Sequence, residues 1–174
     1  FSIYFLNDKF FISAGYAILS SSNCTSWSKF ELGESCTLYG GAYGNGVYIM
    51  SGYGDTFIST NGTSWTKTTA LSTTENYGSI FFVDGKFIAI AHGTTNYGAS
   101  NKIAYSTNGT SWTYGTLPIT AKWVEGSYCN GTFMIAGYKS LAYSNDGVNW
   151  EVGSLPEGWN TIEAMGSGNE FLFF

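Results

Sequence analysis

Apolar positions along this chain come in short bursts, each bounded by turn residues. The stretches "VYIMSG" and "KFIAIA" are aromatic and β-branched, the make-up of half-buried strands. Tight-turn dipeptides stand before them, Asn45-Gly46 and Asp84-Gly85, and Asn130-Gly131 stands before a third. Such dipeptides supply the positive φ angles of a two-residue hairpin. A further strand follows, "TFIST" or "IAYST", then a polar corner, then "SWTKTT" or "NWEVGS". Each unit therefore reads as four short antiparallel strands.

The polar corner repeats. STNGTSW occurs verbatim at Ser59–Trp65 and Ser106–Trp112, with looser copies ending at Trp27 (SSNCTSW) and Trp150 (SNDGVNW). The four tryptophans stand 38, 47 and 38 residues apart. Four antiparallel strands recurring every ~40 residues match a β-propeller blade. The expected fold is all-β: a propeller of four-stranded blades over about 1–37, 38–76, 77–121 and 122–159, in one domain. Part of a fifth blade is expected over 160–174, and the whole as a fragment of a larger propeller.

Ser-x-Asp/Asn-Gly-x-x-Trp resembles a shortened Asp-box, the hairpin motif of bacterial neuraminidase repeats. It is also similar to repeats of bacteriophage tail and bacterial surface proteins. Only Asp146 keeps the acid; Asn23, Asn61 and Asn108 replace it, and Cys24 replaces the glycine. A structural role explains the motif without a ligand. The side chains of Ser59, Ser106 and Ser144 and of Asn61, Asn108 and Asp146 suit hydrogen bonds within the turn. Gly62, Gly109 and Gly147 suit a left-handed conformation, and Trp65, Trp112 and Trp150 are expected to fold back onto the blade. Asn23, Asn61, Asn108 and Asn130 also begin Asn-x-Thr sequons, which are read first as turn chemistry.

Composition narrows the partners. Charged residues make up 11% of the 174, the net charge is -5, and all seven cations are lysine. No basic patch can be drawn, so no nucleic acid is expected. No apolar run approaches the ~18 residues of a bilayer span, so no membrane insertion is expected. Cys24 and Cys36 could pair, or they and Cys129 are small buried thiols.

In a propeller the turns between strands one and two and between three and four share one face. The connections between strands two and three, and between blades, share the other. The second set varies here: "HGTTNYGASNK" at 92–102 stands where other units have "GYGDT" or "GYKS". Variable segments on one face of a repeat array mark a binding face. The candidate ligand-binding residues are Tyr53, Asp55, His92, Asn96, Tyr97, Asn101 and Trp159. Aromatics beside amides suit sugar rings. For Tyr53, which recurs in register with Tyr16 and Tyr138, packing between blades is the competing reading.

The resemblance to neuraminidases implies three substrate-gripping arginines, and the chain has none. No pair of carboxylates is placed by any spacing rule, and His92 alone is a poor metal site. The expectation is thus no catalytic residues, no metal, no cofactor and no enzyme. It is instead a recognition module, extracellular, on a cell surface or on a virion, whose partner is a glycan or cell-surface protein. The alternatives are a structural propeller among other subunits of a tail or surface assembly, and a glycan hydrolase whose remaining residues lie elsewhere.

Overall fold

The turn dipeptides set the first level of structure. Asn45, Asp84 and Asn130 adopt φ of 48°, 48° and 49°, and the glycines after them 79°, 73° and 82°. Both central residues are left-handed, as in the two-residue turn whose twist matches that of its strands. Asn7 and Asp8 make the same turn without a glycine, at φ 46° and 60°.

The computed structural model describes residues 2–93 and 98–158 and the backbone of 165–166 and 172–173. Its first blade is β1 (Ser2–Leu6), β2 (Lys9–Ser13), β3 (Ala17–Ser21) and β4 (Ser28–Glu31). The second is β5 (Leu38–Gly44), β6 (Val47–Gly52), β7 (Thr56–Ser59) and β8 (Thr66–Thr68). The third is β9 (Asn76–Val83), β10 (Lys86–His92), β11 (Ser100–Ser106) and β12 (Thr113–Ala121). The fourth is β13 (Trp123–Cys129), β14 (Thr132–Gly137), β15 (Ser140–Ser144) and β16 (Glu151–Val152). Each is an antiparallel meander, and β17 (Met165–Gly166) pairs with β18 (Leu172–Phe173) as a separate two-stranded sheet. Strands β1, β5, β9 and β13 lie side by side as the inner strands, and among the described residues the blades do not close into a ring. This is the expected all-β propeller.

Between each pair of blades lies one apolar cluster. Phe11 and Ile18 of the first meet Leu38, Tyr48, Met50 and Phe57 of the second; Ile49 of the second meets Ile80, Phe87 and Ala89 of the third. Ile88 and Ile103 of the third meet Trp123, Phe133 and Ile135 of the fourth. Each blade also stacks an inner-strand ring on its second strand: Phe5–Phe10, Tyr43–Tyr48, Phe82–Phe87 and Tyr128–Phe133, with centroids 4.7, 4.4, 4.7 and 4.6 Å apart. Burying such a ring is worth roughly 1.5–3 kcal/mol.

The heptads fold by one rule. The backbone N–H groups of Gly62, Gly109 and Gly147 donate to the hydroxyls of Ser59, Ser106 and Ser144 at 2.8–2.9 Å. Asn61 Oδ1 accepts from the N–H groups of Thr63 and Ser64, and Asn108 Oδ1 from those of Thr110 and Ser111. Asp146 Oδ1 accepts from Val148 and Asn149 in the same way. These bonds, led by the Asn149 N–H, hold the Asp146 carboxyl well below the usual carboxylate range. Trp65 is buried against Phe11 and Tyr48, whereas Trp112 and Trp150 are only partly buried and Trp27 is exposed. Cys24, the one departure from glycine in these turns, is left-handed at φ 59°. The possible Cys24–Cys36 pairing is not made: Cys24 is exposed, Cys36 and Cys129 are buried, and all three are free thiols.

Candidate functional site

Cross-blade hydrogen bonds distinguish the two faces. Lys9 Nζ donates to Asn61 O, Asn45 Nδ2 to Thr107 O and Lys86 Nζ to Asp146 O, at 2.7, 2.7 and 2.8 Å. The strand-one-to-two turn of one blade thus grips the heptad turn of the next. At the other strand ends the remaining connections meet. Cys36 N donates to Gly15 O, Tyr53 N to Thr37 O and Tyr138 N to Lys122 O, and Tyr53 bridges to Asn76.

The second face holds a cleft of about 700 Å³ lined by Ser72, Thr74, Glu75, Tyr77, Lys102 and Tyr114. Thr74 and Glu75 also line a neighbouring hollow of about 200 Å³ that reaches Tyr53 and Asn76. The two form one groove between Tyr53 and Tyr114. The blade-two-to-three connector makes its floor, held by Tyr114: its hydroxyl donates to Ala70 O (3.1 Å) and accepts from Ser72 N (2.9 Å). Tyr114 still stands 51% exposed and Tyr53 39%. Buried Tyr77 lies 6.5 Å from Tyr114, and burial first, then these neighbours, push its phenol well above the usual range.

The expected site residues scatter. Tyr53 lies at one end of the groove and Asn101 lies on β11 beside Lys102. Tyr16, Tyr53 and Tyr138 are 64%, 39% and 49% exposed, so none of them is buried between blades, although Tyr53 bridges to Asn76 of the next. Asp55 is engaged elsewhere, its carboxylate 2.8 Å from Lys67 Nζ, which also lies 2.5 Å from Glu34. Glu34, Asp55 and Cys36 converge, but the Lys67 ammonium already supplies the cation there. Burial and the Asp55 carboxylate push the Cys36 thiol up to about 11, so it stays protonated. His92 does not face a ligand surface. It is 4% exposed, its Nε2 is 3.4 Å from Ser79 Oγ, and burial lowers its pKa. Asn96, Tyr97 and Trp159 lie outside the described residues.

The sequence marks the groove's own residues only in part. Glu75 belongs to a connector whose sequence differs from its counterparts. Tyr114 follows "SWT", where the preceding heptad is followed by Lys67, and an aromatic on an outer strand was the available signal.

No protein-family model matches the chain, and no curated protein matches it in sequence. Solved structures do match in shape. Virginiamycin B lyase from Staphylococcus aureus aligns over 99% of this chain with a TM-score of 0.77 at 11% identity. An ancestral GH74 enzyme aligns over 87% with a TM-score of 0.70 at 19% identity. PorZ, a surface component of the type-IX secretion system of Porphyromonas gingivalis, aligns over 97% with a TM-score of 0.61 at 9% identity. The chain spans 62%, 23% and 22% of these three. At such identities the likeness establishes the fold. It also corrects the expectation of a non-enzyme: two of the three are enzymes, so this architecture is no ground for denying catalysis.

Proposed function

We propose that the chain is a recognition propeller that binds a glycan along the groove between Tyr53 and Tyr114. The observation that carries this reading is the groove itself: two exposed aromatic side chains flank Glu75, Thr74 and Lys102 over a connector braced by hydrogen bonds. An aromatic face can stack on the apolar side of a sugar, while a carboxylate, a hydroxyl and an ammonium read its hydroxyl groups. A surface rich in uncharged polar residues, and the likeness to a bacterial surface component, support a place outside the cell, on a cell or virion surface.

The test is a glycan array with the purified chain, followed by titration of the ligands found. Tyr53→Ala is expected to weaken binding roughly 5- to 150-fold, the equivalent of about 1–3 kcal/mol for an aromatic contact. Glu75→Gln is expected to change which glycans bind. If no glycan binds, or if both variants bind as the parent chain does, the reading is wrong. Turnover of the bound glycan is a second reading, favoured by the enzymes among the structural neighbours. Product analysis on the array's ligands decides it, with Glu75, the carboxylate lining the groove, as the residue whose substitution would stop the reaction.

A further inference from the structure

The groove offers hydrogen bonds that the fold does not use. Tyr77, on β9, is 3% exposed and lines the cleft, yet its hydroxyl makes no hydrogen bond to any described residue. Asn76, the residue before it, is 5% exposed and lines the hollow. Its side-chain amide likewise has no hydrogen-bond partner among the described residues. Side chains alternate in direction along a strand. The same inner strand thus gives one buried polar group to each half of the groove, and Glu75 lines both halves.

Buried polar groups are normally paired, because leaving one unpaired is costly. The packing asks for neither group: phenylalanine would fill the space of Tyr77 and leucine that of Asn76 with no orphan left behind. Polar groups held this deep at the back of a cleft suit a ligand that completes their hydrogen bonds. A sugar hydroxyl both donates and accepts, so it satisfies a phenol and an amide alike. The groove's charges bear on the ligand's own charge. Glu75 and Lys102 line the same cleft, and neither forms an ion pair with a described residue. An acidic sugar gains Lys102 but is opposed by Glu75, and a basic one meets the reverse. A neutral sugar keeps both as hydrogen-bonding groups.

We propose that the groove holds two subsites for a neutral glycan, in which Tyr77 and Asn76 each take a hydroxyl of successive sugar units; this rests on the reading of the groove as a glycan site. Isothermal titration calorimetry with glucose, galactose and N-acetylglucosamine oligomers of one to four units tests it. The expected result is that at least one series binds and that affinity rises from one unit to two. Tyr77→Phe is expected to weaken binding of the two-unit oligomer roughly 3- to 10-fold, the scale of one hydrogen bond. Asn76→Leu is expected to remove the gain from the second unit. Tyr77→Phe breaks no hydrogen bond of the fold, so its urea midpoint should match or exceed that of the parent chain. A tyrosine with a structural role alone would lower that midpoint and leave affinity untouched. The proposal is overturned if none of the three series binds, if affinity is the same for one unit and two, or if Tyr77→Phe binds as tightly as the parent chain. Tyr53→Ala separates the two readings: if it weakens binding while Tyr77→Phe and Asn76→Leu do not, the groove binds glycan but not through these buried groups. Array ligands made only of charged sugars would likewise keep the glycan site and remove this inference.

Discussion

One position of the heptad can be substituted with opposite consequences in different blades. Gly109 has φ +72°, and a Cβ there would stand 2.8 Å from the Ile49 Cδ1 of the preceding blade. Gly109→Ala adds left-handed strain of about 1–2 kcal/mol. Overpacking adds about 1–3 kcal/mol, because Ile49 is itself fully buried. A stiffer unfolded chain returns about 0.4–1 kcal/mol. The net expectation is a loss of about 1–4.6 kcal/mol, centred near 3. Gly46→Ala isolates the strain, since that glycine has φ +79° and nothing within 4 Å of its added Cβ. It should cost about 1 kcal/mol or less. Cys24→Gly removes the same strain from an exposed side chain and should stabilise by roughly 0.5–1 kcal/mol. Equilibrium urea unfolding followed by tryptophan fluorescence reads all three, with shifted midpoints and an unchanged slope. The reasoning is refuted if Gly109→Ala costs no more than Gly46→Ala, or if Cys24→Gly destabilises.

Trp65→Ala should cost about 3–5 kcal/mol, because its ring packs edge-on against Phe11 at 5.9 Å, whereas exposed Trp27→Ala should cost much less in the same assay. Burial holds His92 neutral at neutral pH by lowering its pKa below 6.5. The unfolded chain then takes up a proton that the folded chain refuses. Its contribution to stability is full above pH 6.5 and falls as the pH drops below that value, by at most about 1.4 kcal/mol per pH unit until His92 itself protonates. An NMR titration of the His92 ring with a midpoint at or above 6.5 would contradict this.

The fold was legible because each blade repeats the same local instructions. The dipeptides at 45–46, 84–85 and 130–131 force hairpins, and the Ser, Asn/Asp and Gly of each heptad force its corner, whatever surrounds them. The candidate site was less legible because no local rule builds it. Its walls are Tyr53 of one blade, Glu75 of a connector, and Lys102 and Tyr114 of two strands of the next. Their meeting depends on how blades stack, which no short window encodes. His92 shows the converse error. As a histidine entering a variable loop it stands among the candidate ligand-binding residues, with a loop anchor as the reading set against catalysis, and it ends β10 buried under the wall formed by Gly78 and Ser79. Only the absence of a side chain at Gly78 makes room for the imidazole, and that pairing spans two strands.

The division of labour between the faces follows from counting donors and acceptors. On the heptad face, Asn61 Oδ1 and Asn108 Oδ1 each accept from two backbone N–H groups and from a serine hydroxyl. Lys9, Asn45 and Lys86 are committed to carbonyl oxygens of the next blade. A ligand arriving there would have to break bonds that hold one blade to another, each worth about 1 kcal/mol net. On the opposite face, the connector between the second and third blades is braced mainly from beneath. Ser72 N and Ala70 O are satisfied by a single tyrosine hydroxyl, and Thr74 bonds to Ser72 of the same connector, which leaves the Glu75 carboxylate lining the groove. Fewer blade-to-blade bonds stand in the way on this face, which is why the proposed glycan site is put on the irregular face although the repeated one carries the conspicuous motif.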